Sequence, residues 1–349
     1  MQKASIIIIS ISLLAALLSG CDNAKELPPL TSEEIQIATD VGITPEEYQV
    51  IKHTQLYELS PRQTDQYLQV LHQLEPDLRE RIGMIAEKNI GQPYDIYLLG
   101  EAPFEPYDAQ PLFELSKSDC VVFAEHTYAM GLSDNWGDFF TTLQHIRYNQ
   151  GEVSVVTRNH FTEYDWNINN RWLVEDITDI AGADTMGHYK LTVNKERFFA
   201  KQFGIDVPVD EVTIDEVYVA NAHVDQVAQH LSTGDLVNFV RGKGEHAWVG
   251  HVGVIKVEED GTVNVIHSAE PAVRKEGLIA LAKEFNETAA EREAEGKSAT
   301  LGFKFLRLRE QPISNLAEKF DGAIPPIVMR GRKHTYLTQQ QVEDKLSNM

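Results

Sequence analysis

Cysteine is almost absent from this chain: Cys21 and Cys120 are the two among 349 residues. Two cysteines cannot supply the several-bridge framework of a small secreted scaffold, so the fold must rest on an apolar core. The length is ample for one, and 42% of the residues are hydrophobic. Basic residues are scarce as well. Lysine and arginine number 31 against 53 acids, for a formal charge of −22. That balance excludes a non-specific nucleic-acid binder and a polybasic grip on membranes. No apolar run is long enough to cross a bilayer comfortably; the stretch from Ile6 to Leu18 is interrupted by Ser10 and Ser12 and is too short. Internal repeats and low-complexity tracts are missing, which excludes a solenoid. No His-Glu-x-x-His or similar spacing is present, so neither a zinc site nor any other cofactor is expected.

What the N-terminus does have is the layout of a signal peptide over residues 1–20: Lys3, then the short apolar stretch. It closes on Leu18-Ser19-Gly20-Cys21, which resembles the bacterial lipobox. The resemblance implies that Cys21 carries lipid, becomes the mature N-terminus, anchors the protein to a membrane and cannot form a disulfide. Asp22 resembles an inner-membrane retention signal, which implies a lipoprotein facing the periplasm. The alternative is an uncleaved anchor or a buried helix. Residues 21–30 read as a tether. Cys120 is then a lone thiol outside the cytoplasm, and it is either a small buried hydrophobe or a nucleophile.

Residues 31–75 read as a helical appendage. Thr31 with Glu34 forms a capping box, and Thr44-Pro45 and Ser60-Pro61 are further helix starts. Tyr67, Leu68, Val70, Leu71 and Leu74 fall at helical spacing. A fourth helix is expected over 75–89. Helices are also expected from Cys120 and over 133–151, the latter stopped by Gly151. "EVSVVT" (152–157) and "RWLVEDIT" (171–178) read as strands, as do "GDLVNFV", "AWVGHVGVIKV", "TVNVIHS" and a final "GFKFLRLRE". The acidic stretch 282–299 is a solvated helix or insertion. Helices, a thiol-bearing helix, then antiparallel strands make an α+β pattern.

Ser118 or Asp119 can cap the helix that Cys120 opens. In the first helical turn, free N–H groups and the helix dipole favour a thiolate and can hold an oxyanion. A thiolate needs a base, and imidazole suits. "GHVGVIKVEEDGTVNVIHS" reads as a hairpin. A three-residue loop with Gly261 in the left-handed position sets 258 opposite 262 and 253 opposite 267. His251 and His267 then share a face within side-chain reach, with Gly253 leaving room beside them. A two-residue Asp260-Gly261 loop would put them on opposite faces.

In this order, "SDCVVFAEH", "GDLVNFV", "GHVGVI" and "VIHSAE" resemble the NlpC-type cysteine peptidases of bacterial cell walls. The resemblance implies a papain-like core in which the nucleophile helix packs on an antiparallel sheet, with Cys120 as nucleophile, His251 as base and His267 as orienter. "GQPY" resembles the family's Gly-x-Pro-Tyr and implies that Tyr94 lies over the nucleophile. Asp119 is counted on the substrate side with it. "TRNHFTEYDW" together with "VVFAE" after the cysteine resembles the N-acetylmuramoyl-L-alanine amidase-like branch. That branch cuts the amide between the lactyl group of muramic acid and L-alanine in peptidoglycan or muropeptides. His160 and Asp165 can hydrogen-bond sugar or peptide, Trp166 can stack on a pyranose, and Arg158 can hold a carboxylate. The alternative is a loop pinned by a buried tryptophan. "SAEPAVRKEGL" after His267 resembles a substrate-side loop. His246 and Trp248 can rim the cleft, and His126 is structural. The likeness covers residues 76–310 and leaves a C-terminal extension, 311–349. Rival readings are an endopeptidase cutting after γ-D-glutamate, an acyltransferase, and a non-catalytic wall-binding lipoprotein.

Overall fold

The computed structural model describes residues 27–243, 246–320 and 322–324. The expected signal segment, Cys21, Asp22 and the expected C-terminal extension past residue 324 lie outside the described residues. Among the described residues, no helix is long and apolar enough to cross a membrane.

Capping decides where the first helices begin. Thr31, Thr44 and Ser60 each accept the N–H three residues on, while Glu34, Glu47 and Gln63 reach back to the cap's own N–H. Each reciprocal pair satisfies two donors that a helix start leaves open. They launch α1 (Ser32–Asp40), α2 (Pro45–His53) and α3 (Pro61–Leu74), and Asp77 launches α4 (Leu78–Lys88). Next come α5 (Cys120–Gly131), α6 (Trp136–Arg147) and the short α7 (Asn167–Asn169). Helix α6 ends at Arg147, where Tyr148 turns to extended geometry, so Gly151 is not its stop. The expected strand at 152–157 is also corrected. The Ser154 carbonyl accepts N–H bonds from Thr157 and Arg158 at 3.1 and 3.0 Å, folding the β-branched run into a buried turn.

The strands are β1 (Val174–Asp176), β2 (Met186–Val193), β3 (Val212–Ala220), β4 (Leu236–Lys243), β5 (His246–Val257), β6 (Val263–Ala269), β7 (Ala272–Gly277) and β8 (Ala299–Leu308). Helix α8 (Lys195–Phe203) lies between β2 and β3, α9 (Val224–Ala228) before β4, α10 (Leu278–Ala294) between β7 and β8, and α11 (Pro312–Glu318) after β8. The sheet runs β2-β3-β8-β4-β5-β6-β7, with β1 also beside β8, and its ladders are antiparallel. The final strand of the sequence is thus central, between β3 and β4. The α+β architecture is the expected one. "SAEPAVRKEGL" is not a loop, because β7 begins within it at Ala272 and pairs with β6.

Alternation along the strands gives the sheet two apolar faces. Leu236, Val252, Val254, Ile266 and Leu306 face α5 and α6, in a core that also holds Ala38, Tyr48 and Leu68 from α1, α2 and α3. The helices of 31–75 are therefore a wall of the main core. Val237, Phe239, Ile255, Val265 and Phe303 face α9 and α10. Asp235, fully buried just before β4, joins the parts. It accepts from Arg79 of α4 at 2.9 Å, from Arg307 of β8 at 3.1 Å and from the Leu308 N–H at 3.2 Å. Asp235→Ala leaves these donors unanswered and is expected to cost about 3 kcal/mol of stability. A denaturation midpoint equal to wild type would show that water replaces the carboxylate without loss.

Candidate active site

Asp119 is the N-cap of α5, accepting the Val122 N–H at 2.8 Å, and Cys120 is the first helical residue. The helix start is fastened to the sheet through Ser118. The Ser268 hydroxyl of β6 donates to the Ser118 carbonyl at 2.7 Å, and the Ser118 hydroxyl donates to Gln92 at 2.7 Å. Residues 91–94 run along the outer edge of β7: the Val273 N–H reaches Gln92, and the Tyr94 N–H reaches Pro271. On their other side, the Ser118 N–H reaches Pro93. Tyr94 is thereby held beside the thiol. Its hydroxyl is raised above its ordinary value by burial, then by Cys120 and Asp119.

The β5–β6 hairpin forms in the expected register. Val254 faces Ile266, Val257 faces Val263, and the Glu258 N–H bonds to Thr262 across the loop at 2.9 Å. Gly261 has φ +83°, the left-handed conformation that glycine adopts without strain. The ladder ends at Val254. Beyond it, Gly253 allows the strands to stay close, since a Cβ there would lie 2.7 Å from Val265 and 3.1 Å from the His267 Cβ. A bulge in the β4–β5 pairing, between Phe239 opposite His251 and Val240 opposite Val249, re-aims the chain just before His251.

Three side chains follow in series. His251 Nε2 lies 2.7 Å from His267 Nδ1, and His267 Nε2 lies 2.6 Å from the Glu276 carboxylate. The Glu276 carboxylate also accepts from Arg274 Nε at 2.6 Å. An ionised carboxylate only accepts, so His267 carries its proton on Nε2 and its Nδ1 is bare. His251 must then donate from Nε2, which leaves its Nδ1 lone pair as the basic atom. Glu276 thus fixes both tautomers. Burial raises the Glu276 acid, but the bonds from His267 and Arg274 outweigh it and hold the group below its ordinary value. Burial, with His267, Arg241 and Arg274 nearby, holds His251 well below an ordinary histidine.

Cys120 meets this series at the backbone: its sulfur lies against the N–H of Val252, the residue after His251. No hydrogen bond joins the thiol to the ring among the described residues, and such bonds commonly tighten only with substrate in place. The favoured thiolate expected from the helix start is not the resting form. Burial and then Asp119 push the thiol up to about 12, against the N–H groups of Val252 and Val121. At neutral pH the resting pair is a neutral thiol and a neutral imidazole.

The substrate-side candidates divide. Tyr94 and Asp119 adjoin the thiol. Arg158 is buried, ion-paired with Glu101 at 3.1 Å and Asp108 at 3.0 Å. Asp165 is paired with Lys195 of α8 at 2.8 Å, and the His160 ring packs on Phe198, Phe199 and Phe203. Trp166 is 4% exposed and donates to Glu125 at 3.1 Å, and with His160 it lines a small cavity against Val121 and Val252, the residues that follow Cys120 and His251. The buried tryptophan pins this loop from within, and Lys195 with the Phe198 and Phe203 rings docks α8 on it. His126 is structural, with Nδ1 on the Val122 carbonyl. Glu276 and Arg274 were missed. Their signal was the alternating "RKE" run, hidden because the turn before it was not read as a hairpin. Among the described residues, no group of three or more potential ligands is placed to hold a metal ion.

Residues 84–276 match a family model described as AmiA-like, N-acetylmuramoyl-L-alanine amidase-like. No curated protein matches the chain. A solved structure from Legionella pneumophila, of the DUF1460 family, is similar at TM-score 0.59 and 18% identity, over 71% of this chain and 95% of that one. An N-acetylmuramoyl-L-alanine amidase from Bacteroides uniformis is similar at TM-score 0.49 and 17% identity, over 66% and 99%. The first shows a shared fold.

Proposed function

The chain belongs to the AmiA-like, N-acetylmuramoyl-L-alanine amidase-like family, and from that premise we propose that it is a cysteine-dependent cell-wall amidase cutting between the lactyl group of N-acetylmuramic acid and L-alanine. The observation that carries this reading is the Glu276–His267–His251 series ending beside Cys120, with all four residues inside the matched segment. The Cys120 sulfur attacks the amide carbonyl carbon as its proton passes to His251 Nδ1. N–H groups of the first turn of α5 stabilise the oxyanion. The nitrogen takes the proton from His251 and leaves as the amine of L-alanine. Water, deprotonated by His251, then opens the thioester and restores the thiol. A charge of −22 disfavours clinging to anionic wall polymers and supports soluble muropeptides as substrates. The sequence at Cys21 and Asp22 supports a lipid anchor at the periplasmic face of the inner membrane.

The test is to incubate the protein with defined muropeptides and weigh the products. Free peptide beginning at L-alanine supports the reading, whereas a cut after γ-D-glutamate would move the activity to an endopeptidase. The raised thiol favours a second reading, a wall-peptide-binding protein, which would bind these ligands and release nothing. Glu276→Gln is expected to lower kcat/KM roughly 10- to 100-fold, mainly through kcat, the range for losing a hydrogen bond to a charged group. Imidazole 15N shifts should show His251 as one tautomer in wild type and as a mixture in the variant. An unchanged tautomer with full activity would remove Glu276 from the mechanism.

A further inference from the structure

A second feature adjoins the histidines on the same face of the sheet. Phe239 touches the rings of His251 and His267, at 4.8 and 5.8 Å, and packs against Phe285 of α10 at 6.2 Å. Two residues further along β4, Arg241 stands opposite Trp248 of β5. Between this strand and α10 lies a cavity of about 320 Å³, with Arg241 and Thr300 on the strand side and Phe285, Thr288 and Glu291 on the helix side. The Arg241 stem lies over Gly250, where a Cβ would approach its Cδ to 2.7 Å. Its guanidinium is close enough to act electrostatically on Cys120, Tyr94 and His251.

Arg241 has no ion pair or side-chain hydrogen bond among the described residues, although the acids Glu284, Glu291 and Glu295 line the same cavity. The other guanidinium there, Arg292, is engaged by the Ser298 carbonyl at 2.8 Å. Arg79, Arg147, Arg158, Arg274, Arg307 and Arg309 are all ion-paired. An unpaired, half-buried guanidinium that lines a cavity, its stem lying over Gly250 just before His251, is a fork without its anion. A carboxylate matches that fork with two parallel bonds.

We propose that Arg241 and the cavity between β4 and α10 form the subsite for the peptide side of the substrate, with Arg241 holding a free carboxylate of the stem peptide next to the scissile amide. This rests on the amidase reading above. It makes Arg241 the residue that selects acidic over amidated peptides.

The experiment measures binding apart from turnover, in the Cys120→Ala protein, by calorimetry. Two muropeptides are used that differ only in having the first stem-peptide carboxylate free or amidated. Adding Arg241→Gln is expected to weaken binding of the free-carboxylate ligand roughly 10- to 100-fold and to leave the amidated ligand within about 3-fold. Arg241→Lys should restore part of the loss, since it keeps the charge without the fork. Equal weakening of both ligands, or of neither, would overturn the proposal. Wild-type turnover is assayed separately. Its absence would sink the amidase reading while the binding comparison still decides the role of Arg241.

Discussion

Cys120→Ala is expected to reduce kcat/KM on a cleavable muropeptide by about 10⁴-fold or more, with the dissociation constant for the same ligand within about 3-fold of wild type. The size follows from what is removed. Alanine leaves the Asp119 cap, the Ser118–Ser268 clamp and the Val252 N–H in place. It deletes only the sulfur that the proposed mechanism joins to the acyl group. A water taking its place would have to be activated by His251 without the geometry that α5 imposes on sulfur. The variant should also keep the wild-type melting temperature, because Cys120 is a half-buried residue at a helix start. Mass analysis of products with both proteins reads the outcome. Turnover within about 10-fold of wild type would make Cys120 a bystander.

The second large effect belongs to His251. His251→Ala should lower kcat/KM by about 10³- to 10⁴-fold, at the upper end for general acid–base catalysis, because the resting thiol is neutral and must give up its proton as it attacks. The double variant with Cys120→Ala should lose little more than either single change, since the two act as one unit. The pH dependence carries its own sign. Protonation of His251 abolishes its basic Nδ1, so activity falls as pH drops through its value, which burial holds well below 6.5. The alkaline limb requires loss of the thiol proton, which lies near 12. A flat profile across neutrality is therefore expected. A bell centred near pH 7 would mean that substrate binding reverses the desolvation of one of the two groups.

The hairpin that pairs the histidines was legible because its turn chemistry is local: Glu259-Asp260-Gly261 allows two loop lengths, and the longer one, with Gly261 left-handed, sets both histidines on one face. The helix starts at Thr31, Thr44 and Ser60 were legible for the same reason. The state of Cys120 was not. The dipole and open N–H groups of a helix start can be read from sequence, but the burial that outweighs them arises only once the sheet closes over the site. Trp166 and Arg158 show the same limit from the other side. Aromatic and guanidinium groups serve substrates and cores equally, and the partners that claim them, Glu125, Glu101 and Asp108, come from distant segments. Glu276 stayed hidden because it needs the pairing of β6 with β7.

The Ser268–Ser118 bond joins residues 150 positions apart, and the Arg79–Leu308 bond joins residues 229 apart. Contacts of such high contact order carry a large loop-closure cost and make folding slow. A nascent or truncated chain ending before β5 would carry the thiol without its base, its orienter or its clamp. The site is therefore complete only once nearly the whole described length has folded, and a chain truncated before β5 is expected to be inert on any muropeptide.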